Sequence, residues 1–104
     1  MMRQESLAEI KVRLEAVYAN RLQEVVLYGS EARGTAGPDS DIDLLVILEG
    51  PVRLWDDLRA AVGALYPLSL QLGRPLSPKP VDAQQYKEGL CPLYQVAKKE
   101  GIRL

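Results

Sequence analysis

Two short apolar runs, separated by only about a dozen residues, constrain this chain more than any other feature. Glu24 to Tyr28 (EVVLY) and Asp41 to Leu48 (DIDLLVIL) each have the length of a strand, and the second is rich in β-branched residues. Their nearly continuous apolar character suits strands covered on both faces. The stretch between them, GSEARGTAGPDS, holds three glycines and a proline. It reads as one helical turn, Glu31 to Arg33, followed by a loop, and it is too short to carry a covering crossover. The two strands are therefore expected side by side in a small mixed sheet with helices packed on it, an α+β arrangement.

The flanking segments supply those helices. Leu7, Ile10, Leu14 and Val17 recur at helical spacing and predict an amphipathic helix over Gln4 to Asn20, with Ser6 and Glu9 placed for a capping box. After a turn at Glu49-Gly50-Pro51, a second stripe of Leu54, Leu58, Ala61, Val62 and Leu65 predicts a helix beginning near Pro51. Pro67 should kink or end it, and Leu68 to Leu72 would resume it, with Gly73 as C-cap. Three prolines in Pro75 to Asp82 (PLSPKPVD) suit an edge strand or an irregular extended segment. Short helices follow at Ala83 to Glu88 and at Pro92 to Glu100, the latter closed by Gly101.

Composition narrows the chemistry. The 104 residues are enough for one compact domain, residues 1–104, and the 47% hydrophobic and 26% charged shares are those of ordinary globular chains. No run is long and apolar enough to cross a membrane, and the first residues lack the apolar core of a signal peptide, so the expected location is cytoplasmic. The chain has no histidine, which removes Ser-His and Cys-His catalysis and imidazole metal ligands. A single cysteine, Cys91, rules out an internal disulfide and reads as a small packing residue. A net charge of -1 argues against a grip on extended nucleic acid. Trp55 reads as a packing or partner contact, Lys98, Lys99 and Arg103 as a solvated helix end. Leu65, Leu68, Leu70 and Leu72 are more apolar than so small a chain easily buries, which hints at an interface and allows a homo-oligomer.

One constellation carries chemistry: Gly29-Ser30, ten residues, then Asp41-x-Asp43. Side chains alternate along a strand, so Asp41 and Asp43 share a face, while Ile42 and Leu44 turn to the other. Two neighbouring carboxylates repel each other, and a hard cation such as Mg2+ relieves that repulsion with oxygen ligands and substrate phosphates. Gly29 lets the backbone approach a phosphate, and the amides of a helix start favour an anion. Taken singly, Gly-Ser after a strand is commonly a turn with an N-cap, and Asp-x-Asp a solvated face. Together they suggest a nucleoside triphosphate bridged by Mg2+.

At this point YGSEARGTAGPDSDIDLLVIL resembles the signature of the nucleotidyltransferase superfamily, which includes DNA polymerase beta. It is most similar to the minimal nucleotidyltransferase (MNT) domains. Gly29, Ser30, Arg33, Gly34, Ser40, Asp41, Asp43 and Leu44 match the pattern nearly residue for residue. The resemblance covers most of the chain and implies a single nucleotidyltransferase domain with an α-β-turn-β-X-β-α core. It implies transfer of a nucleoside monophosphate, AMP from ATP, to a hydroxyl acceptor. Asp41 and Asp43 would be catalytic and hold two Mg2+ ions, while Gly29 and Ser30 would bind the β and γ phosphates. Arg33 either adds positive charge beside the phosphates or pairs with Asp39 or Glu31, and the sequence weights the two equally.

The resemblance further implies a partner, a HEPN-domain protein to which an MNT chain acts as antitoxin. It also exposes a departure. Active members carry a third carboxylate on the next strand, and the matching position here is Ser77 or a neighbour. A hydroxyl does not take a proton at neutral pH as a carboxylate does. Asp82 is the nearest acid after it and stays a candidate. Five positions along a regular strand put it on the opposite face, but Pro78 and Pro80 disturb that parity, and an N-cap of the next helix is favoured about two to one. The alternative function is therefore a catalytically weak, nucleotide-binding module that neutralises its partner by contact.

Overall fold

The computed structural model describes residues 2–104. Helix α1 (Gln4–Tyr18) leads through one 3-10 turn into strand β1 (Leu22–Tyr28). The short helix α2 (Gly29–Arg33) and a loop lead to β2 (Ile42–Leu48), then α3 (Leu54–Leu72), β3 (Leu76–Asp82), α4 (Ala83–Glu88), α5 (Pro92–Glu100) and β4 (Ile102–Arg103). The strands form one mixed sheet in the order β3-β2-β1-β4. β1 pairs antiparallel with β2 and β4, and β2 pairs parallel with β3. The expected α+β architecture and the adjacency of the first two strands are both present.

The unbroken apolar run of β2 is explained by its position. It is the central strand between β1 and β3, with helices on both sides. Leu44, Val46 and Leu48 enter one core with Leu7, Ile10 and Leu14 of α1 and Ala61 and Leu65 of α3. Leu45 and Ile47 enter a second core with Val26, Val81, Tyr86 of α4 and Ala97 of α5. Burying each Leu or Ile contributes about 1.5–3 kcal/mol, so both faces of this strand stabilise the fold.

β3 is an edge strand, as its prolines require. Pro78 and Pro80 stand beside Leu44 and Val46. They share the parity of the strand, so both missing N–H groups fall on one side, and an edge strand needs only the other side for pairing.

Several expectations are corrected. Ser6 and Glu9 form no capping box: Arg3 occupies the N-cap without a side-chain bond, and Ser6 already donates its N–H to the Arg3 carbonyl. Val17 is exposed, and Tyr18 takes its place in the core because a 3.6-residue period drifts to the later position. α3 begins at Leu54 rather than Pro51 and runs unbroken through Pro67. Its buried face is Asp57, Ala61, Leu65 and Leu68, while Leu54, Val62 and Trp55 are exposed. Leu70 is also exposed, whereas Leu72 packs partly against the core.

β4 has no counterpart in the sequence pattern, since two residues carry no period. It pairs through Ile102 with Leu27 and through Arg103 with Val26. Gly101 permits this: a Cβ there would fall 2.5 Å from Val26 Cγ1 and 3.2 Å from the Leu27 carbonyl.

Candidate functional site

The pairing register assembles the site at one end of the sheet. Tyr28 on β1 lies opposite Asp43 on β2, and Asp43 lies beside Ser77 on β3. Paired residues in adjacent strands share a face, so phenol, carboxylate and hydroxyl form one row about 4.8 Å per step apart. The next residues on that face, Leu45 and Ile47, are fully buried under α4 and α5. Tyr28, Asp43 and Ser77 are only partly buried, so the row lies at the margin of that core.

Asp43 is half-buried and Asp41, just ahead of the strand, is exposed. Burial pushes the Asp43 carboxyl above its ordinary value, the nearby Asp41 charge pushes it further, and Arg33 opposes both. The charges of Asp41 and Arg33 thus both bear on Asp43, in opposite senses. Of the two acids open to Arg33, Glu31 is turned to Arg74. Tyr28 is likewise raised, first by burial and then by Asp43.

Gly29 and Ser30 are the first residues of α2, directly after β1. Gly29 has φ +75, and a Cβ there would fall 2.6 Å from Asp43 Oδ2. Only glycine fits this position, on both backbone and steric grounds. The same contact shows how closely the Asp43 carboxylate approaches the backbone at the turn. The Ser30 carbonyl accepts from the Thr35 N–H at 3.0 Å, which folds the loop back on the short helix.

A group missed by the sequence reading holds this loop in place. Arg74, in the turn between α3 and β3, pairs with the buried Glu31 at 2.6 Å. Its Nε also donates to the Ser40 carbonyl at 3.0 Å. The second Glu31 oxygen accepts from the Met2 N–H at 2.9 Å. The Ile42 N–H donates to the Pro75 carbonyl at 2.9 Å, next in line. Arg74 and Pro75 therefore fix both ends of the segment that bears Asp41. An Arg forty-three positions after Glu31 has no local signature; only the parallel β2–β3 pairing brings them together.

Ser77 stands in register with Asp43, where the resemblance located the third carboxylate. Asp82 does not join the site. It pairs with Leu48 at the far end of the strand, and its side chain accepts from the Gln85 N–H at 3.0 Å, capping α4. Among the described residues there is no cluster of three or more His, Cys, Asp or Glu suited to a metal. The donor set is two carboxylates that repel each other, one exposed and one half-buried. This suits a hard cation that completes its shell with phosphate and water oxygens.

Comparison with known proteins agrees with this fold. The protein family described as "Nucleotidyltransferase domain" matches residues 7–98. No curated protein sequence matches the chain. Among solved structures, the spectinomycin adenyltransferase AAD(9) from Enterococcus faecialis, with ATP and spectinomycin, superposes with a TM-score of 0.72 at 19% identity. The match covers 99% of this chain and 56% of that one, so this chain spans little more than half the adenyltransferase's length. A toxin-antitoxin structure with AMP-PNP gives a TM-score of 0.56 at 23% identity, over 90% of this chain and 68% of that one. A toxin-antitoxin MntA-HpeT mutant gives 0.56 at 21%, over 100% and 72%. At these identities the likeness concerns the fold.

Proposed function

Since this chain belongs to the nucleotidyltransferase domain family and its fold fits the minimal nucleotidyltransferases, we propose that it transfers AMP from ATP to a hydroxyl on a partner protein. The supporting observation is the approach of the Asp43 carboxylate, with Asp41 beside it, to the glycine turn at Gly29. Asp41 and Asp43 would hold Mg2+, two ions as the resemblance implies. Held by Asp41 and Asp43, Mg2+ would supply charge neutralisation for the triphosphate and lower the pKa of an acceptor hydroxyl.

This chain's own residues do the rest. The Gly29-Ser30 backbone and the Ser30 hydroxyl bind the β and γ phosphates. Arg33 adds positive charge to the same pocket. Tyr28 and Ser77 flank Asp43 and fix the width of the cleft. The solved relatives that are toxin-antitoxin assemblies support a protein acceptor, here a HEPN-type toxin, with this chain as the antitoxin. A cytoplasmic location suits an ATP donor, and no helix among the described residues is long and apolar enough to cross a membrane.

Ser77 favours a second reading. With a hydroxyl beside Asp43, the chain binds nucleotide but turns over slowly, and neutralises its partner by contact. Calorimetry with ATP, with and without Mg2+, tests the site: Mg2+-dependent binding is expected, and no binding ends both readings. Transfer of radiolabelled AMP to the partner separates them. Asp43→Asn should abolish that transfer, and transfer at the wild-type rate would refute the metal assignment.

A further inference from the structure

We infer that Arg74 is a positioning residue for the reaction proposed above, setting the distance between the phosphate-binding turn and the metal-binding acids. The role rests on that reading of the site. Each of its two contacts lies one residue from one half of the site. Glu31, which pairs with Arg74 Nη2 at 2.6 Å, directly follows Ser30. The Ser40 carbonyl, which accepts from Arg74 Nε at 3.0 Å, directly precedes Asp41. One planar guanidinium thus spans from the phosphate side to the metal side.

The loop between them does not hold that spacing by itself. From Arg33 to Asp39 only Ala36 is even partly buried. The loop's own bonds are local. Thr35 N–H donates to the Ser30 carbonyl at 3.0 Å, Ser40 N–H to the Gly37 carbonyl at 3.2 Å, and Gly37 N–H to the Ser40 hydroxyl at 2.9 Å. A segment with so few buried contacts opens at low cost unless something outside it holds both ends.

Arg74 is well placed to do so, because rigid elements aim it. Gly73 ends α3 with φ +68, and its N–H donates to the Ser69 carbonyl at 2.9 Å. The Ser69 hydroxyl accepts from the Leu76 N–H at 3.0 Å, at the start of β3. Pro75 restricts the residue before it to extended backbone. The guanidinium is therefore carried by α3 and β3, and the loop is positioned against them.

Fold stability alone does not account for this pair. The Arg74 side chain is 17% exposed and that of Glu31 3%. Taking two charges that far out of water costs about what their attraction returns, and an apolar pair often holds a fold as well. What an apolar pair lacks is the directed second bond to Ser40.

The test compares two variants of the full chain with wild type. Arg74→Lys keeps the charge and the reach to Glu31, but a single ammonium does not reproduce the fork that also meets Ser40. Its melting temperature should fall by no more than about 5 °C. Its Kd for Mg2+-ATP in calorimetry should rise at least about tenfold, as when a contact behind a metal ligand is lost. In the chain without metal or nucleotide, the Thr35 and Ser40 amides should exchange faster with solvent, and Val46 in the core should not. Arg74→Gln combined with Glu31→Gln removes both charges and should show the same pattern.

Wild-type Kd or wild-type loop exchange in both variants overturns the positioning role and leaves the proposed function standing. Failure of both variants to fold makes Arg74 a structural residue and also overturns it. A wild-type chain that binds no Mg2+-ATP sinks the proposed function, and this role with it.

Discussion

Gly29 and Asp43 constrain each other directly. Gly29→Ala places a Cβ against Asp43 Oδ2 and forces φ +75 on an L residue. The expected outcome is loss of Mg2+-dependent ATP binding in calorimetry, with a stability cost of about 1–2 kcal/mol in thermal melts. Asp43 itself is held at an energetic cost. Its carboxyl is raised in the fold, so the folded state binds the proton more tightly than the unfolded one. Stability therefore falls as pH rises from the ordinary carboxylate value to the raised one. Asp43→Asn should melt higher than wild type at pH 7, with the gain vanishing as pH drops through the carboxylate range. A stability penalty at pH 7 would contradict this. Ser77→Asp should increase AMP transfer and Mg2+ affinity, while lowering the metal-free melting temperature through a third adjacent charge. Unchanged transfer after Ser77→Asp would show that the hydroxyl does not limit the chemistry.

At the level of elements, the start of α3 is tied to the turn after α1 by one acid. Asp57 accepts from Arg21 Nη1 and Nη2 at 2.9 and 3.0 Å and from the Arg53 N–H at 2.9 Å. The Tyr18 hydroxyl donates to the Asp57 carbonyl, and burial with the Asp57 charge pushes the Tyr18 phenol up to about 12. The Arg21 bonds hold the Asp57 carboxyl below its ordinary value, so its contribution is present at neutral pH and declines as pH falls through that lowered value. Asp57→Ala should cost about 2 kcal/mol at pH 7, measured by urea unfolding, and less in acid. The exposure of Arg21 keeps the loss below that of a fully buried pair. Sequence periodicity located this helix but misjudged its inward face, because Leu54 and Val62 carry the apolar pattern while Asp57 carries the tertiary bond. Hydrophobicity does not distinguish a core-facing stripe from one left exposed.

On the scale of the whole molecule, two unequal cores enclose the sheet. α1 and α3 pack on one face and α4 and α5 on the other, where Tyr28, Asp43 and Ser77 stay partly exposed at one end. Ligand bound at that end stabilises only the folded chain. At 100 times its Kd, Mg2+-ATP should add about 2.7 kcal/mol, a rise on the order of 10 °C in melting temperature for a domain of this size. No rise at such saturation would show that this end is not the nucleotide site.

By itself the sequence determined the first two strands, the glycine turn and the acidic pair, because each rests on neighbours a few positions apart. Strand parity put Ile42 and Leu44 inward and Asp43 outward, and the spacing from Gly29 to Asp43 is set by one loop. Only the tertiary structure decided that Arg74 clasps Glu31 and Ser40, that Ser77 lies beside Asp43, that Asp82 caps α4 and that β4 closes the sheet. Those contacts depend on the parallel register of β2 with β3 and on how the helices settle against the sheet. Such long-range geometry is fixed by the packing of the whole chain and leaves no periodic trace in any one segment.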